Sequence, residues 1–425
     1  MKSADRRICA GPLGFFLWAF LFLTTAAALS GQTFEARVDG VVARARYKIG
    51  PFRIQPVLEF SQLGWASNIY GGAQAEQLIS DFVITPSPKL NIYFILRRRL
   101  ILSFTENPEY HFYFSSHRYN HFTNNYGAEL SFPFFGSLII SAGYFFQDQR
   151  SLAVAEVDRL VESLNRGVRT EVSYETGRRI SLTLTGLFSR LEYADFLSPE
   201  GSPDQLGPNL NRVEYSGLLE ARYQAFTSSA FFIQTGYSQD LFREETAGWK
   251  DSESVRFLFG FRLPSQGRLS GSLAAGFRNL LNLDRSAKDY SGFIANTQLS
   301  YRLGGATSVS LGYYHDLVFS YLPNVLYYIS DSINTALTVN ISRFLAVQAG
   351  GSYSLLSYSG RREPEGGGGG LPPGLMGRYF NFSAGFTIPV LRGLRAGLSY
   401  HYWTRPTGVS DKRDGHLVTI DLIRQ

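Results

Sequence analysis

The chain has 425 residues, of which 44% are hydrophobic, 15% aromatic and 18% charged, with 34 Phe, 25 Tyr, 42 Gly, 2 Met and a single Cys. A formal charge of +6, or +4 once residues 1–31 with three basic groups and one acid are set aside, is too weak and dispersed for a nucleic-acid binder. A mean hydropathy of −0.08, with no uninterrupted run of 18 apolar residues after residue 31, excludes a helical membrane protein. The length admits two or three soluble domains or one large barrel.

The first segment sets the compartment. Lys2, Arg6 and Arg7 precede a short apolar run, Gly11 to Leu23, and Ala26 to Ser30 offer small residues for cleavage. This predicts a signal peptide over residues 1–31, cut between Ala28 and Gly31; a membrane anchor would need about 20 apolar residues. Cys9 lies ahead of the apolar run, where a lipoprotein cysteine would follow it. The exported chain would then carry no cysteine, which excludes a disulfide or thiolate-metal framework. Residues 32–50, with Phe34, Val38, Val41 and Val42 among charges, predict a short amphipathic helix or a periplasmic N-terminal tail.

From residue 51 to the end, short segments alternate apolar and polar residues with period two, which places one set of side chains on each face of a strand. Ile180, Leu182, Leu184 and Phe188 oppose Ser181, Thr183, Thr185 and Ser189; Leu394, Ala396, Leu398 and Tyr400 oppose Arg395, Gly397, Ser399 and His401. Eighteen segments follow: 52–66, 79–96, 99–115, 121–134, 137–150, 165–176, 179–194, 211–225, 229–242, 253–263, 267–280, 290–302, 306–316, 327–341, 344–358, 378–389, 393–404 and 414–424. Tight connections such as Arg97–Arg99, Phe135–Gly136 and Leu303–Gly305 alternate with long ones such as 195–210, 243–252, 317–326, 359–377 and 405–413. That alternation predicts an all-β, transmembrane up-and-down antiparallel barrel over 51–425, with short periplasmic turns and longer extracellular loops, in the cell outer membrane. A soluble sandwich or propeller explains the period but not the alternating connections.

Little of the sequence points to chemistry. Gly366–Gly370, flanked by prolines, reads as a surface loop; a phosphate-cradling loop would need a following Lys-Ser pair and a helix start. His111, His117 and His121 form the one histidine cluster, which reads as solvated loop side chains because no acid sits at ligand spacing within the run His117–His121. His315-Asp316 is the one candidate dyad, but adjacent strand residues face opposite ways. The expectation is no catalytic site, no metal site and no cofactor. With the more polar parity turned inward, Arg53, Glu59, Lys89, Glu129, Glu171, Glu175, Arg212, Glu214, Glu220, Arg222, Arg256, Arg262, Arg268, Arg278 and Arg395 are the candidate lumen-lining residues. Charge on the lipid face would cost about 2–4 kcal/mol each near the midplane, so a watery lumen is their natural place. Many of them can also brace the wall as mutual ion pairs.

Gly64-Trp65-Ala66-Ser67-Asn68-Ile69-Tyr70, Asp81-Phe82-Val83-Ile84-Thr85-Pro86-Ser87-Pro88 and the turn Tyr174-Glu175-Thr176-Gly177-Arg178-Arg179-Ile180 resemble the first strand, second strand and repeated turn of the outer-membrane β-barrel porin family. The chain departs from the terminal aromatic of such barrels, ending Ile423-Arg424-Gln425. The resemblance implies a porin-like channel, passive or solute-selective. Some members are associated with exopolysaccharide secretion, so the barrel of an export system is the alternative. Its implied partners are outer-membrane lipid and lipopolysaccharide, the barrel assembly machinery and, for the alternative, polysaccharide export components; no nucleic acid is among them.

Overall fold

The computed structural model describes residues 33–66, 79–135, 137–152, 160–176, 179–195, 207–226, 228–244, 247–264, 267–285, 287–322, 324–361, 376–391, 394–406 and 412–424. The expected leader, the glycine run Gly366–Gly370 and the loop 407–411 lie outside the described residues. One helix, α1 (Thr33–Arg44), precedes the strands. These are β1 (Tyr47–Ile49), β2 (Phe52–Ala66), β3 (Asp81–Leu96), β4 (Leu100–Tyr113), β5 (His121–Pro133), β6 (Leu138–Leu152), β7 (Leu160–Thr176), β8 (Ile180–Asp195), β9 (Arg212–Tyr223) and β10 (Ala230–Phe242). They continue as β11 (Ser252–Leu263), β12 (Leu269–Asn282), β13 (Tyr290–Leu303), β14 (Thr307–Phe319), β15 (Val325–Ser342), β16 (Leu345–Arg361), β17 (Met376–Leu391), β18 (Leu394–Pro406) and β19 (Lys412–Arg424).

All belong to one antiparallel sheet. Each strand from β2 onward pairs with the next in sequence, and β19 returns to β2 through pairs such as Val418–Trp65 and Ile423–Glu59. Every one of the eighteen long strands thus has a neighbour on both sides. That is what hydrocarbon demands, because an open edge would leave amides and carbonyls unsatisfied at several kcal/mol each. The eighteen expected segments coincide with β2–β19, and the three-residue β1 is an addition that pairs Tyr47–Ile49 with the start of β2.

The faces follow the period-two pattern. On β11 and β12, Val255, Phe257, Phe259, Leu273 and Phe277 are exposed on the outside, while Ser254, Arg256, Leu258 and Arg278 alternate with them. Ile180 and Phe188 are exposed on the outward side of β8, and Ser181 and Ser189 are buried on the other. The short connections define one rim. Arg97 and Arg98 turn the chain between β3 and β4 with φ of 47° and 57°, a left-handed pair that matches hairpin twist. Gly304 does the same between β13 and β14 with φ of 67°.

Two segments depart from a plain barrel. The N-terminal stretch is a helix rather than a tail, and it packs inside the short-turn mouth: Phe34, Val38 and Val41 cluster with Ile95, Ile101 and Ile139, inward positions of β3, β4 and β6. At the opposite rim the tip of the β14–β15 hairpin folds inward. Pairing between β13 and β14 stops at Ala295–His315, whereas β14 and β15 stay paired up to Phe319–Tyr327. Freed from β13, this tip buries Leu317, Leu326 and Tyr327 against Trp249, Leu280 and Tyr290. Sequence spacing assigns 317–326 to a loop; the apolar residues there serve as an internal cover instead.

Candidate functional site: the lumen

A cavity of about 980 Å³ occupies the lumen between these two segments. Ser103, Thr105, Glu129, Gln147, Asn165 and Arg169 contribute one wall, from β4–β7. Arg212, Glu214, Ser238, Asp240, Ser254, Arg256, Arg278 and Tyr314 contribute the facing wall, from β9–β14. Leu317, Val318, Phe319 and Tyr321 close it on the hairpin side. Tyr321 reaches across to Tyr193 of β8, edge-on at 5.8 Å, and its carbonyl accepts from Asn209 Nδ2 at 3.3 Å. The tip therefore spans from β14 to β8.

A lysine holds it there. Lys250, 0% exposed, donates from Nζ to the carbonyls of Ser320 (2.8 Å) and Leu322 (2.9 Å) and lies 5.7 Å from the Trp249 ring. The Arg212 guanidinium stacks on Phe319 at 5.1 Å, fixing the strand end from below. Beside Lys250, burial raises the pKa of Asp251, opposed by the Phe242 amide that donates to its carboxylate at 2.7 Å. On the short-turn side Glu129 connects cavity and helix: Arg37 donates from Nη2 to its Oε1 at 2.5 Å and from Nη1 to Ser141 Oγ at 3.3 Å. Arg98 in the β3–β4 turn pairs with Asp39 at 2.6 Å.

Charges along the walls are mostly paired across strands. Arg212 Nε meets Asp240 Oδ1 at 3.0 Å and Arg278 Nη1 meets Asp316 Oδ1 at 3.1 Å, both nearly buried. Arg262 lies 3.7 Å from Glu220, Arg169 pairs with Glu171 at 3.0 Å, and Arg222 donates to Ser181 Oγ at 2.9 Å. Arg256 differs. It lines the cavity over Gly236, which has no side chain to displace it, and makes no ion pair among the described residues. A guanidinium without a carboxylate in a confined space is an attractor for anions.

Of the candidate residues, Arg53, Lys89, Glu129, Glu171, Glu175, Arg212, Glu214, Glu220, Arg222, Arg256, Arg262 and Arg278 occupy inward register positions. Arg268 sits in the short turn before β12, so it belongs to the rim and not to the wall. The side chains of Glu59 and Arg395 lie outside the described residues. Arg37, Arg169, Asp240, Lys250 and Tyr314 escaped the sequence reading, and Asp316 entered it only as half of a candidate dyad. Asp240 shares a parity with Gln234 and Ser238 and could have been found; Arg37 and Lys250 carried no signal of their position.

The histidines need a correction. His117 is exposed in a turn, but His111 and His121 are facing strand residues on the inner side, with rings stacked at 4.2 Å. His121 is only 8% exposed, and its Nδ1 contacts the Tyr119 carbonyl at 2.8 Å. These are packed side chains rather than solvated ones. His315 contacts Asp331 on the neighbouring strand, Nδ1 to Oδ1 at 2.5 Å, while Asp316 faces Arg278. No group of three or more His, Cys, Asp or Glu stands at metal-binding distance among the described residues.

A ring of eighteen antiparallel strands, apolar outside and charged within, defines a transmembrane β-barrel. The model of the family described as "Putative beta-barrel porin 2" matches residues 138–370, more than half of the chain, and the chain belongs to that family. Membership in that family places it among the β-barrels of the outer membrane. No protein of curated function matches it. Among solved structures it is similar to OccK3 (OpdO) of Pseudomonas aeruginosa, at 12% identity over 90% of this chain and 98% of that one with a TM-score of 0.48. It is also similar to opdK of Pseudomonas aeruginosa, at 10% identity over 88% and 99% with a TM-score of 0.47. The copper transporter OprC matches at 10% identity over 86% and 65%, TM-score 0.46. The chain spans less than two thirds of the length of OprC, YddB from Escherichia coli and FecA.

Proposed function

We propose that the barrel is a solute channel for small anions, with its short-turn rim facing the periplasm. The observation that carries this reading is the luminal cavity of about 980 Å³, in which Arg256 has no carboxylate partner among the described residues while the other arginines that line it, Arg169, Arg212 and Arg278, each pair with an acid. Fixed charge in a narrow aqueous space sets the local concentration of counter-ions and so the selectivity. Helix α1 and the folded hairpin tip narrow the path at either end, which suits a selective channel more than an open sieve.

Liposome swelling tests it. Vesicles carrying the protein should swell faster in small carboxylates than in amines of equal size. Equal rates remove the anion reading. The rings of Tyr193, Tyr314, Phe319 and Tyr321 around the cavity favour a second reading, the exit barrel of a polysaccharide export system, since sugars stack on aromatic faces. A protein that passes no small solute, in a deletion strain that fails to release polysaccharide, would replace the first reading with this one.

A further inference from the structure

Outward positions of a membrane barrel should be apolar, yet one sector of the outer face carries a cluster of charge. Arg166 of β7 and Arg190 of β8 are a direct cross-strand pair with outward parity, and Glu192 follows two residues along the same face. The Oε1 of Glu192 lies 3.7 Å from Arg166 and 3.7 Å from Arg243, which arrives from the segment after β10, and it is also paired with Arg190. Three guanidiniums thus share one carboxylate. Two positive charges remain over, on side chains 41%, 37% and 45% exposed.

The surface beside them is of the opposite kind. One step toward the short-turn rim, the row Tyr144, Val168, Phe188 and Tyr215 runs across four strands, every member exposed on the outside. Phe188 and Tyr215 lie 5.2 Å apart. A basic head above an aromatic and aliphatic panel complements one class of molecule, an amphiphile with an anionic head and hydrocarbon chains. Arginine also fits phosphate better than a point charge does, because its planar fork donates two parallel hydrogen bonds. A polar solute would gain nothing from the apolar row.

The geometry points to a docking surface for a phosphorylated lipid of the leaflet at the long-loop rim. Its phosphate is held by Arg166, Arg190 and Arg243, and its acyl chains lie on Val168, Phe188 and Tyr215. The same wall carries Arg212 and Glu214 on its inner side, so the bound lipid braces the strands that shape the cavity.

The test uses the full chain purified in non-ionic detergent and native mass spectrometry. The probes are bis-phosphorylated lipid A and its dephosphorylated form. The wild type should retain the bis-phosphorylated lipid about tenfold over the dephosphorylated one, as should Arg378→Gln, which removes an outward arginine on β17. Arg166→Gln/Arg190→Gln/Arg243→Gln should lose that preference. If the triple variant fails to fold, as judged by heat-modifiable mobility, Arg243→Gln alone, outside the strands, should cut it by about threefold. A wild type that does not discriminate, or variants that keep the full preference, would overturn the assignment.

Discussion

Lys250→Met isolates the cover over the cavity. The substitution keeps the length and apolar stem of the side chain but deletes the two hydrogen bonds to Ser320 and Leu322. Bonds from a charged donor contribute about 1.5–3 kcal/mol each, and both carbonyls would be left without this donor in a buried setting. At the low end the pair is worth about 3 kcal/mol, which multiplies the open population of the hairpin tip by roughly 150. Leu317, Leu326 and Tyr327 remain buried, so the barrel itself should stay folded. Amide hydrogen exchange reads the effect locally, at the Ser320 N–H that bonds the Leu326 carbonyl (3.1 Å) and the Val325 N–H that bonds that of Leu322 (3.3 Å). Both should speed up by about two orders of magnitude, with strand amides of β16 unchanged. Exchange within about threefold of wild type would refute the idea that the lysine fastens the tip.

Three other perturbations probe the fold and the mouth. Leu182→Lys places a charge on the outward face and should cost about 2–4 kcal/mol if it lies near the midplane, whereas Thr183→Lys faces Glu220 across the inner wall and should cost far less; folding titrations in lipid decide, and equal costs would contradict the face assignment. Val38→Asp removes a fully buried contact of α1, worth about 2 kcal/mol, and adds a charge against Ile95, Ile101 and Ile139; the helix should become cleavable by protease while the barrel stays intact. Unchanged protection would mean that α1 is held by something other than this cluster. Glu129→Gln should loosen the same helix less, because Arg37 keeps its bond to Ser141; a larger effect than that of Val38→Asp would mean that the ion pair, not the apolar cluster, anchors α1.

The strands were legible because each tells its own story locally: Ile180 to Thr185 alternate without exception, and short turns such as Arg97–Arg99 punctuate them. The inward set was legible for the same reason, since parity is a property of one strand. What escaped depends on residues far apart in the chain. Arg212–Asp240 and Arg278–Asp316 are set by the register of one strand against a near neighbour, which no single segment encodes. The burial of Leu317, Leu326 and Tyr327 follows from β14 leaving β13 early, and an apolar loop tip reads the same whether it folds in or out. Helix α1 was readable as amphipathic, but nothing in Phe34, Val38 and Val41 says which wall they meet. Outward arginines such as Arg166 and Arg190 run against the rule used to find the lumen, so parity alone hid them.

Reversal potential across a planar bilayer with a salt gradient tests the channel reading most directly. The purified barrel should conduct with a preference for anions. Arg256→Gln should reduce that preference, and neutralising Arg212, Arg222, Arg262 and Arg278 as well should turn it toward cations, because Asp240, Asp316 and Glu220 then stand uncompensated in the wall. A barrel that carries no current, or one whose selectivity ignores these arginines, would contradict the account.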